Sequence, residues 1–426
     1  MRVLLVSANT EKINMPVLPF GLACVAAATQ RAGHYMKLVN LMDQQDTRLV
    51  LKEAVKGFQP ELIGISVRNI DDQCMEKPRF FLDTVREVVK DCRDLSEAPI
   101  VIGGPGYSLF PESALEYLGA DMGIQGEGEM AFVWLLERLT QGTHLSGIPG
   151  LYLAGGVIGE EVRYTRDLNE CPFPHPDISI WSSSLGADQE VWLPFQTRRG
   201  CPMNCSYCST ATIEGRIIRR HSPWSAVEAI SMYVEAGFHN FFFVDNTFNL
   251  PASYAKELCE RLAAARLKMS WRCILYPWKV DRKLVENMAK AGCKEVSLGF
   301  ESGSRKILHA MNKRFQPEEV RQISDMLRDH GIRRMGFLLL GGPGETRDTV
   351  EESLLFADSL DLEAMKVTVG IRIYPYTALA RTAIKQGLIA ADESLLFPTF
   401  YMTSGLEDWL RMTVSNWLNE RPHWQA

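Results

Sequence analysis

The feature that most constrains this chain is a double run of alternating strand-like and helix-like segments along its 426 residues. In the first run, residues 1–140, five short apolar segments alternate with segments of helical apolar spacing, beginning with RVLLVS next to the first residue. Such alternation predicts a parallel sheet with helices on both faces. Ligands of these sheets bind beyond the carboxyl ends of the strands, so we expect a site at that edge.

The second run predicts a different α/β architecture. Residues 141–190 are expected to form a linker, because NECPFPHPDI carries three prolines. Six strand–helix units follow in residues 191–388, too few for an eight-unit barrel, so we predict a partial, open (β/α)6 barrel of the TIM type. Residues 389–426 form a predicted helical tail, whose tryptophans either close over a cavity or only pack the helix.

Charge and hydropathy argue against two kinds of partner. The net charge is −6, so the chain has no basic field that would favour nucleic acid. No apolar run reaches the roughly 18 residues that a membrane span needs. The N-terminal MRVLLVSAN has one basic residue and no small-residue cleavage site after it, which predicts a first strand rather than a signal peptide, and a cytoplasmic location.

Three of the ten cysteines are grouped, and their spacing is informative. Cys201, Cys205 and Cys208 form a C-x3-C-x2-C pattern after the predicted strand LPFQTR. Thiolates suit iron–sulfur clusters or zinc, but a structural zinc site normally has four protein ligands. Three thiolates on a four-iron, four-sulfur cluster leave one iron open, so we predict such a cluster; a non-catalytic zinc or redox-sensing protein is the alternative.

The other cysteines are scattered singly, and the absence of an export signal argues against a disulfide framework. We expect them to be buried small hydrophobic side chains. They are Cys24, Cys74, Cys92, Cys171, Cys259, Cys273 and Cys293.

With this motif, the second half of the chain resembles the core domain of radical S-adenosylmethionine (SAM) enzymes. The resemblance implies that the open iron binds the amine and carboxylate of SAM. It also implies roles for residues at the ends of successive strands, in VDNTF, SLGFESGS and GFLLLGGPGET. By resemblance, the residues near the adenine are Tyr207, Leu339 and Gly341, those that hold the methionine amine are Asp245 and Asn246, and those that contact the ribose and methionine are Glu301 and Ser302.

The first half resembles the Rossmann-like (flavodoxin-like) cobalamin-binding domain that precedes this core in one class of these enzymes. Its predicted strands end in small residues that would let the backbone approach a bulky ligand. These residues are Ser66, Gly103, Gly104, Gly126 and Gly128. The D-x-H-x-x-G signature that supplies a histidine to cobalt is absent, so the lower axial ligand stays unassigned and a degenerate domain that binds nothing stays open. RNIDDQ at residues 68–73 could face the cofactor, the substrate or solvent.

Together these resemblances imply a cobalamin-dependent radical SAM methyltransferase acting on an unactivated carbon. In this class the cluster cleaves SAM, the adenosyl radical removes a substrate hydrogen, and the substrate radical takes a methyl group from methylcobalamin. The implied partners are an unidentified small-molecule or peptide substrate and an external electron donor of the flavodoxin or ferredoxin type. Rearrangement, cyclisation and ring contraction are alternatives with the same cofactors.

Overall fold

The protein is built on two large, mainly parallel sheets that follow one another along the chain. The computed structural model describes residues 1–11, 18–42, 44–157, 160–176 and 191–425. Residues 158–159 and 177–190 of the predicted linker lie outside the described residues. Among the described residues, no helix combines the length and apolarity that crossing a bilayer would require.

The first sheet has seven strands in the order β2-β1-β3-β4-β5-β6-β7. Its strands are β1 (Arg2–Ser7), β2 (Tyr35–Asn40), β3 (Leu62–Ser66), β4 (Ile100–Gly103), β5 (Met122–Ile124), β6 (Leu151–Leu153) and β7 (Gly156–Val157). Strands β1 to β5 are parallel, as the sequence predicts. Strands β6 and β7 fall within the predicted linker but extend this sheet in antiparallel pairing. A tight hairpin at Gly155, whose φ is +93°, joins β6 to β7.

Helices cover both faces of this sheet, as the alternation predicts. They are α1 (Phe20–Arg31), α2 (Thr47–Phe58), α3 (Leu82–Leu95), α4 (Pro105–Leu109), α5 (Pro111–Leu118) and α6 (Gly128–Gln141). Helices α1 and α6 pack against each other, and their apolar side chains share one core with the barrel. Helices α2, α3 and α5 form the other layer.

The second domain is an open barrel with its six predicted strands in place. Its strands are β8 (Leu193–Phe195), β9 (Arg198–Arg199), β10 (Arg219–Arg220), β11 (Asn240–Phe243), β12 (Ser270–Leu275), β13 (Cys293–Glu301), β14 (Arg333–Leu340), β15 (Ala364–Val369), β16 (Ile371–Arg372), β17 (Phe400–Tyr401) and β18 (Trp424–Gln425). The main sheet is parallel in the order β8-β11-β12-β13-β14-β15-β18. Two short antiparallel ribbons, β9–β10 and β16–β17, flank it.

Helices alternate with the barrel strands, and most begin at a polar cap or a proline. They are α7 (Thr210–Glu214), α8 (Pro223–Glu235), α9 (Ala252–Ala265), α10 (Arg282–Lys290), α11 (Arg305–Ala310), α12 (Pro317–Asp329), α13 (Arg347–Ser359), α14 (Ala378–Lys385) and α15 (Glu407–Asn419). Ser222 and Asp281, for example, accept a backbone hydrogen bond at the start of α8 and α10.

The C-terminal tail does more than form the predicted helix, because its last strand, β18, pairs with β15. Trp417 donates to Asp358 on α13 over 3.0 Å, and its ring packs 4.9 Å from that of Trp424. Trp409 lies under the guanidinium of Arg347. These contacts favour the interpretation that the tail tryptophans pack the tail onto the barrel rather than close a cavity.

Candidate active site between the two domains

Two cavities meet at the short helix α7. The larger, about 340 Å³, lies between the domains, and we call it the interdomain cavity. The smaller, about 180 Å³, is lined by the three grouped cysteines, and we call it the cysteine cavity. Ile213 and Glu214 of α7 line the first, whereas Ala211 and Thr212 line the second. One short helix therefore separates the two sites.

The interdomain cavity lies at the carboxyl edge of the first sheet, where the sequence predicts a ligand. Its walls include Leu5 and Phe20 from the first domain and Pro194 from the barrel. All five small residues predicted for cofactor contact line it, namely Ser66, Gly103, Gly104, Gly126 and Gly128. The structure therefore brings these five residues together at one predominantly apolar cavity of the size that organic ligands occupy.

Two of these glycines are required by the backbone itself. Gly104 has a φ of +102°, and a Cβ there would meet the carbonyl oxygen of Val67 at 2.5 Å. Gly126 has a φ of +87°, and a Cβ there would meet Val162 at 2.6 Å. Only glycine adopts such conformations without strain in so little space. The strand ends can therefore present bare backbone to the cavity, as a cradle for a bulky cofactor requires.

The polar segment after β3 divides its side chains between the cavity and the domain interface. Arg68 lines the interdomain cavity, and burial lowers the pKa of its guanidinium. Asp71 instead points into the interface and pairs with Arg372 of the barrel. The sequence could not assign this segment, because a polar run such as RNIDDQ is also typical of an ordinary solvated loop.

The three cysteines are held by backbone hydrogen bonds around their own cavity. The amide of Cys201 donates to Gly215 over 3.1 Å, and that of Cys208 donates to Cys205 over 3.2 Å. Cys201 is buried and Cys208 is exposed. Burial raises the pKa of Cys201 to about 11 and also raises the pKa of Cys205. Metal binding would therefore have to displace protons from these thiols.

The donor set of the cysteine cavity suits an iron–sulfur cluster. Within the described ranges, no three His, Cys, Asp or Glu side chains are grouped as a single metal ion requires. Cys201, Cys205 and Cys208 instead surround one cavity from a single loop. The donor set and its arrangement therefore fit a three-cysteine iron–sulfur cluster.

Three polar side chains that line the cysteine cavity form a triangle of hydrogen bonds. The hydroxyl of Tyr207 and the carboxylate of Glu301 are 2.9 Å apart, and the ammonium of Lys313 donates to both, over 2.9 and 3.3 Å. Burial alone would lower the pKa of Lys313, but Glu301 holds it above its usual value. Burial and Glu301 raise the pKa of Tyr207 well above its usual value. The site thus holds a fixed cation and a neutral phenol.

Sequence reasoning missed Lys313, because nothing in AMNKRF marks it as a site residue. It also missed Glu214, whose carboxylate accepts from the side chain of Asn246. Asn246 lines the cysteine cavity, and its contact with SAM stays a prediction. The signal that could have found Glu214 is its position in the short helix directly after the cysteine motif.

The structure does not bring four predicted contact residues to the cysteine cavity. Asp245 is 1% exposed and accepts from the amides of Thr197 and Arg198 over 2.7 and 2.8 Å. It also pairs with the guanidinium of Arg198. It thereby fastens β9 to the end of β11, and its contact with the methionine amine stays a prediction.

The other three predicted contact residues, Ser302, Gly341 and Leu339, are surrounded by neighbouring side chains. Ser302 is fully buried, and its hydroxyl lies 2.8 Å from that of Ser353. Gly341 has a φ of +97°, and a Cβ there would meet Met402 at 2.7 Å. Leu339 packs against the hydrophobic core next to α14. These positions support the strand ends, and the structure shows none of them on the cavity surface described here.

Comparison with known families agrees with this division of the chain. Residues 6–136 match the B12 binding domain, and residues 196–357 match the Radical SAM superfamily. The chain therefore carries a B12 binding domain followed by a radical SAM domain, the pair predicted from the sequence.

Curated relatives and solved structures extend the similarity over nearly the whole chain. The chain is 29% identical to an uncharacterised methyltransferase of Pyrococcus horikoshii, over 91% of this chain and 84% of that protein. It is 23% identical to tryptophan 2-C-methyltransferase of Streptomyces laurentii, over 89% and 74%. The radical SAM methyltransferase TsrM from Kitasatospora setae, solved with cobalamin and a [4Fe-4S] cluster, has a TM-score of 0.86 at 22% identity and covers 100% of this chain and 90% of its own. This structure confirms the predicted fold class.

Proposed function

We propose that this protein is a cobalamin-dependent radical SAM methyltransferase that methylates an unactivated carbon of a small-molecule or peptide substrate. The observation that carries this proposal is the pair of cavities on either side of α7. If cobalamin binds in the interdomain cavity and SAM binds in the cysteine cavity, the methyl donor and the radical source would lie close enough to react with the same substrate molecule. Such proximity turns a reaction between separate molecules into an effectively intramolecular one.

The names of the relatives support the same reaction class. They include the tryptophan methyltransferase above and the hopanoid C-3 methylase of Methylococcus capsulatus, 25% identical over 61% of this chain and 48% of that protein. When bound, the cluster and cobalamin would supply reductive cleavage of SAM and the methyl group, respectively. The chain's own residues bind, orient and enclose these groups.

Cys201, Cys205 and Cys208 would hold the cluster as thiolates. Because burial raises the pKa of Cys201 to about 11, cluster assembly must release protons. Reduction of the cluster requires an external one-electron donor of the flavodoxin or ferredoxin type, which is part of this proposal. So is a cytoplasmic location, where thiols stay reduced.

SAM would occupy the rest of the cysteine cavity, beside Asn246, Tyr207 and Glu301. Lys313 donates a hydrogen bond to each of the last two and so sets their relative positions. Asn246 donates to Glu214, so its orientation depends on where Glu214 lies. The interdomain cavity would receive cobalamin against Ser66 and the four glycines that line it with Ser66.

The test is anaerobic reconstitution with iron, sulfide and hydroxocobalamin, followed by reaction with SAM carrying a labelled methyl group. We expect a cubane absorption band, bound cobalamin, and transfer of the label to a carbon of the substrate. The matched variant replaces all three cysteines with alanine and should lose the iron and the reaction but keep cobalamin. Protein that binds zinc without sulfide would contradict the proposal.

A cyclisation or rearrangement is a second candidate function, and the name of another relative supports it. The chain is 25% identical to anaerobic magnesium-protoporphyrin IX monomethyl ester cyclase of Rubrivivax gelatinosus, over 84% of this chain and 65% of the cyclase. A cyclisation or rearrangement would consume SAM but leave the labelled methyl group out of the product. The label therefore decides between the two reaction classes.

A further inference from the structure

We propose that Glu214 is a positioning residue that couples the two cavities, so that a ligand in one raises the affinity of the other for its own ligand. This inference rests on the proposed function, which assigns cobalamin to the interdomain cavity and SAM to the cysteine cavity.

A continuous series of side-chain hydrogen bonds leads from the first domain to the cysteine cavity. Arg199 donates to Glu129 at the start of α6, and its Nε donates to Gln196 over 3.1 Å. Gln196 donates to one oxygen of Glu214 over 2.8 Å, and Asn246 donates to the other. The first four residues line the interdomain cavity, and Asn246 lines the cysteine cavity. Glu214 is the member that joins the two.

A second connection converges on the same residue. Arg219 donates to Glu127 of the first domain and, over 2.6 Å, to the backbone carbonyl of Glu214. The amide of Gly200, next to Cys201, donates to the Glu214 carboxylate over 2.9 Å. Glu214 is therefore tied to the glycine-rich loop of the first domain and to the cysteine loop of the second.

Burial keeps the members of this network paired with one another. The side chains of Arg199 and Glu129 are 10% and 5% exposed, and those of Arg219 and Glu127 are both 7% exposed. Burial alone would raise the pKa of Glu129, but Arg199 lowers it below its usual value, so the carboxylate stays charged. Charged groups in such surroundings cannot exchange one partner for water at low cost.

The physical consequence is that ordering one cavity orders the other. Glu127 and Glu129 alternate with Gly126 and Gly128, whose backbone would contact the ligand of the interdomain cavity. A ligand that fixes this loop also fixes Arg199, Arg219 and, through them, Glu214 and Asn246. A second ligand then loses less conformational entropy when it binds, which is positive cooperativity without a large movement.

The experiment measures binding rather than turnover. Anaerobically reconstituted protein with an oxidised cluster is titrated calorimetrically with SAM, with and without bound hydroxocobalamin. For the natural sequence we expect cobalamin to lower the Kd for SAM by about five- to tenfold, within the usual range of such coupling. For Glu214→Gln, and independently for Gln196→Ala, we expect this ratio to fall below about twofold, while each ligand still binds alone.

The control is Asp71→Asn, which weakens an interdomain ion pair whose partners line neither cavity. It should lower the melting temperature yet keep the coupling ratio. If the ratio of the Kd for SAM without and with cobalamin is the same in the natural protein, Glu214→Gln and Gln196→Ala, the inference is overturned but the proposed function is not. The same holds if Asp71→Asn loses as much coupling as Glu214→Gln. Failure of the natural protein to bind cobalamin or SAM would instead overturn the proposed function.

Discussion

Arg372 of the barrel donates through its Nε to the Oδ2 of Asp71 in the first domain, over 2.8 Å, although the two residues are 301 positions apart. Their side chains are 2% and 0% exposed. The same guanidinium donates to the carbonyls of Ile373 and Leu395, so each of its three nitrogens donates at least one hydrogen bond. This pair fastens the two halves of the chain together, and neither partner lines either cavity.

Removing one partner of this pair should destabilise the protein strongly. In Asp71→Ala the buried guanidinium of Arg372 loses its counter-charge, which typically costs about 3–5 kcal/mol. We expect a correspondingly lower urea midpoint. Glu257→Ala, which removes an exposed pair with Arg261, should change stability by less than about 1 kcal/mol. Equal midpoints for the two variants would contradict a stabilising role for the buried pair.

Cys208→Ala should abolish normal cluster assembly, because it removes one of the three thiolates around the cysteine cavity. Cys74 is also exposed but lies outside this cavity, so Cys74→Ala is the matched control and should keep full iron and sulfide content. Iron, sulfide and absorption measurements on reconstituted protein check the prediction. Retention of a normal cluster by Cys208→Ala would show that the ligand set is misassigned.

Gly104→Ala should weaken cobalamin binding by at least about tenfold and lower the stability by more than about 1 kcal/mol. The added methyl group would lie 2.5 Å from a carbonyl oxygen and strain a residue with positive φ. Gly57 lies inside α2 with open space around it, so Gly57→Ala should be neutral or stabilising and should leave cobalamin binding unchanged. Spectroscopic titration with hydroxocobalamin measures the change in binding, and urea unfolding measures the change in stability.

Glu345 should make the free energy of unfolding decrease as the pH rises from about 4.5 to about 7. Burial raises its pKa to about 7, against the lowering effect of hydrogen bonds from Gly341 and Gly342. In this range the unfolded chain loses a proton that the folded chain keeps, so ionisation favours unfolding by up to about 3 kcal/mol.

The variant that tests this is Glu345→Gln, which cannot ionise. Its melting temperature relative to the natural protein should be higher at pH 8 than at pH 5. Glu53→Gln, on the exposed side of α2, should follow the natural protein at both pH values. A Glu345→Gln curve parallel to that of the natural protein would show that the carboxyl ionises freely in the fold.

Local patterns in the sequence were sufficient for the two α/β domains, the strands of both runs and the loop that holds the three cysteines. These features depend on residues close together in the chain: apolar periodicity defines strands and helices, and one loop carries Cys201, Cys205 and Cys208. Glycines at strand ends are also readable, since the carboxyl ends of parallel strands meet at one edge.

Only the tertiary structure decided which neighbouring side chain reaches a cavity. Asp245 and Asn246 are adjacent, yet one is buried against Arg198 and the other lines the cysteine cavity. Lys313 and Glu214 were missed because Tyr207 and Asn246, which they contact, lie 106 and 32 positions away in the sequence. Strand β18 was missed for the same reason, since it exists only through pairing with β15. Side-chain direction and long-range pairing depend on how the elements pack, and no local pattern encodes that packing.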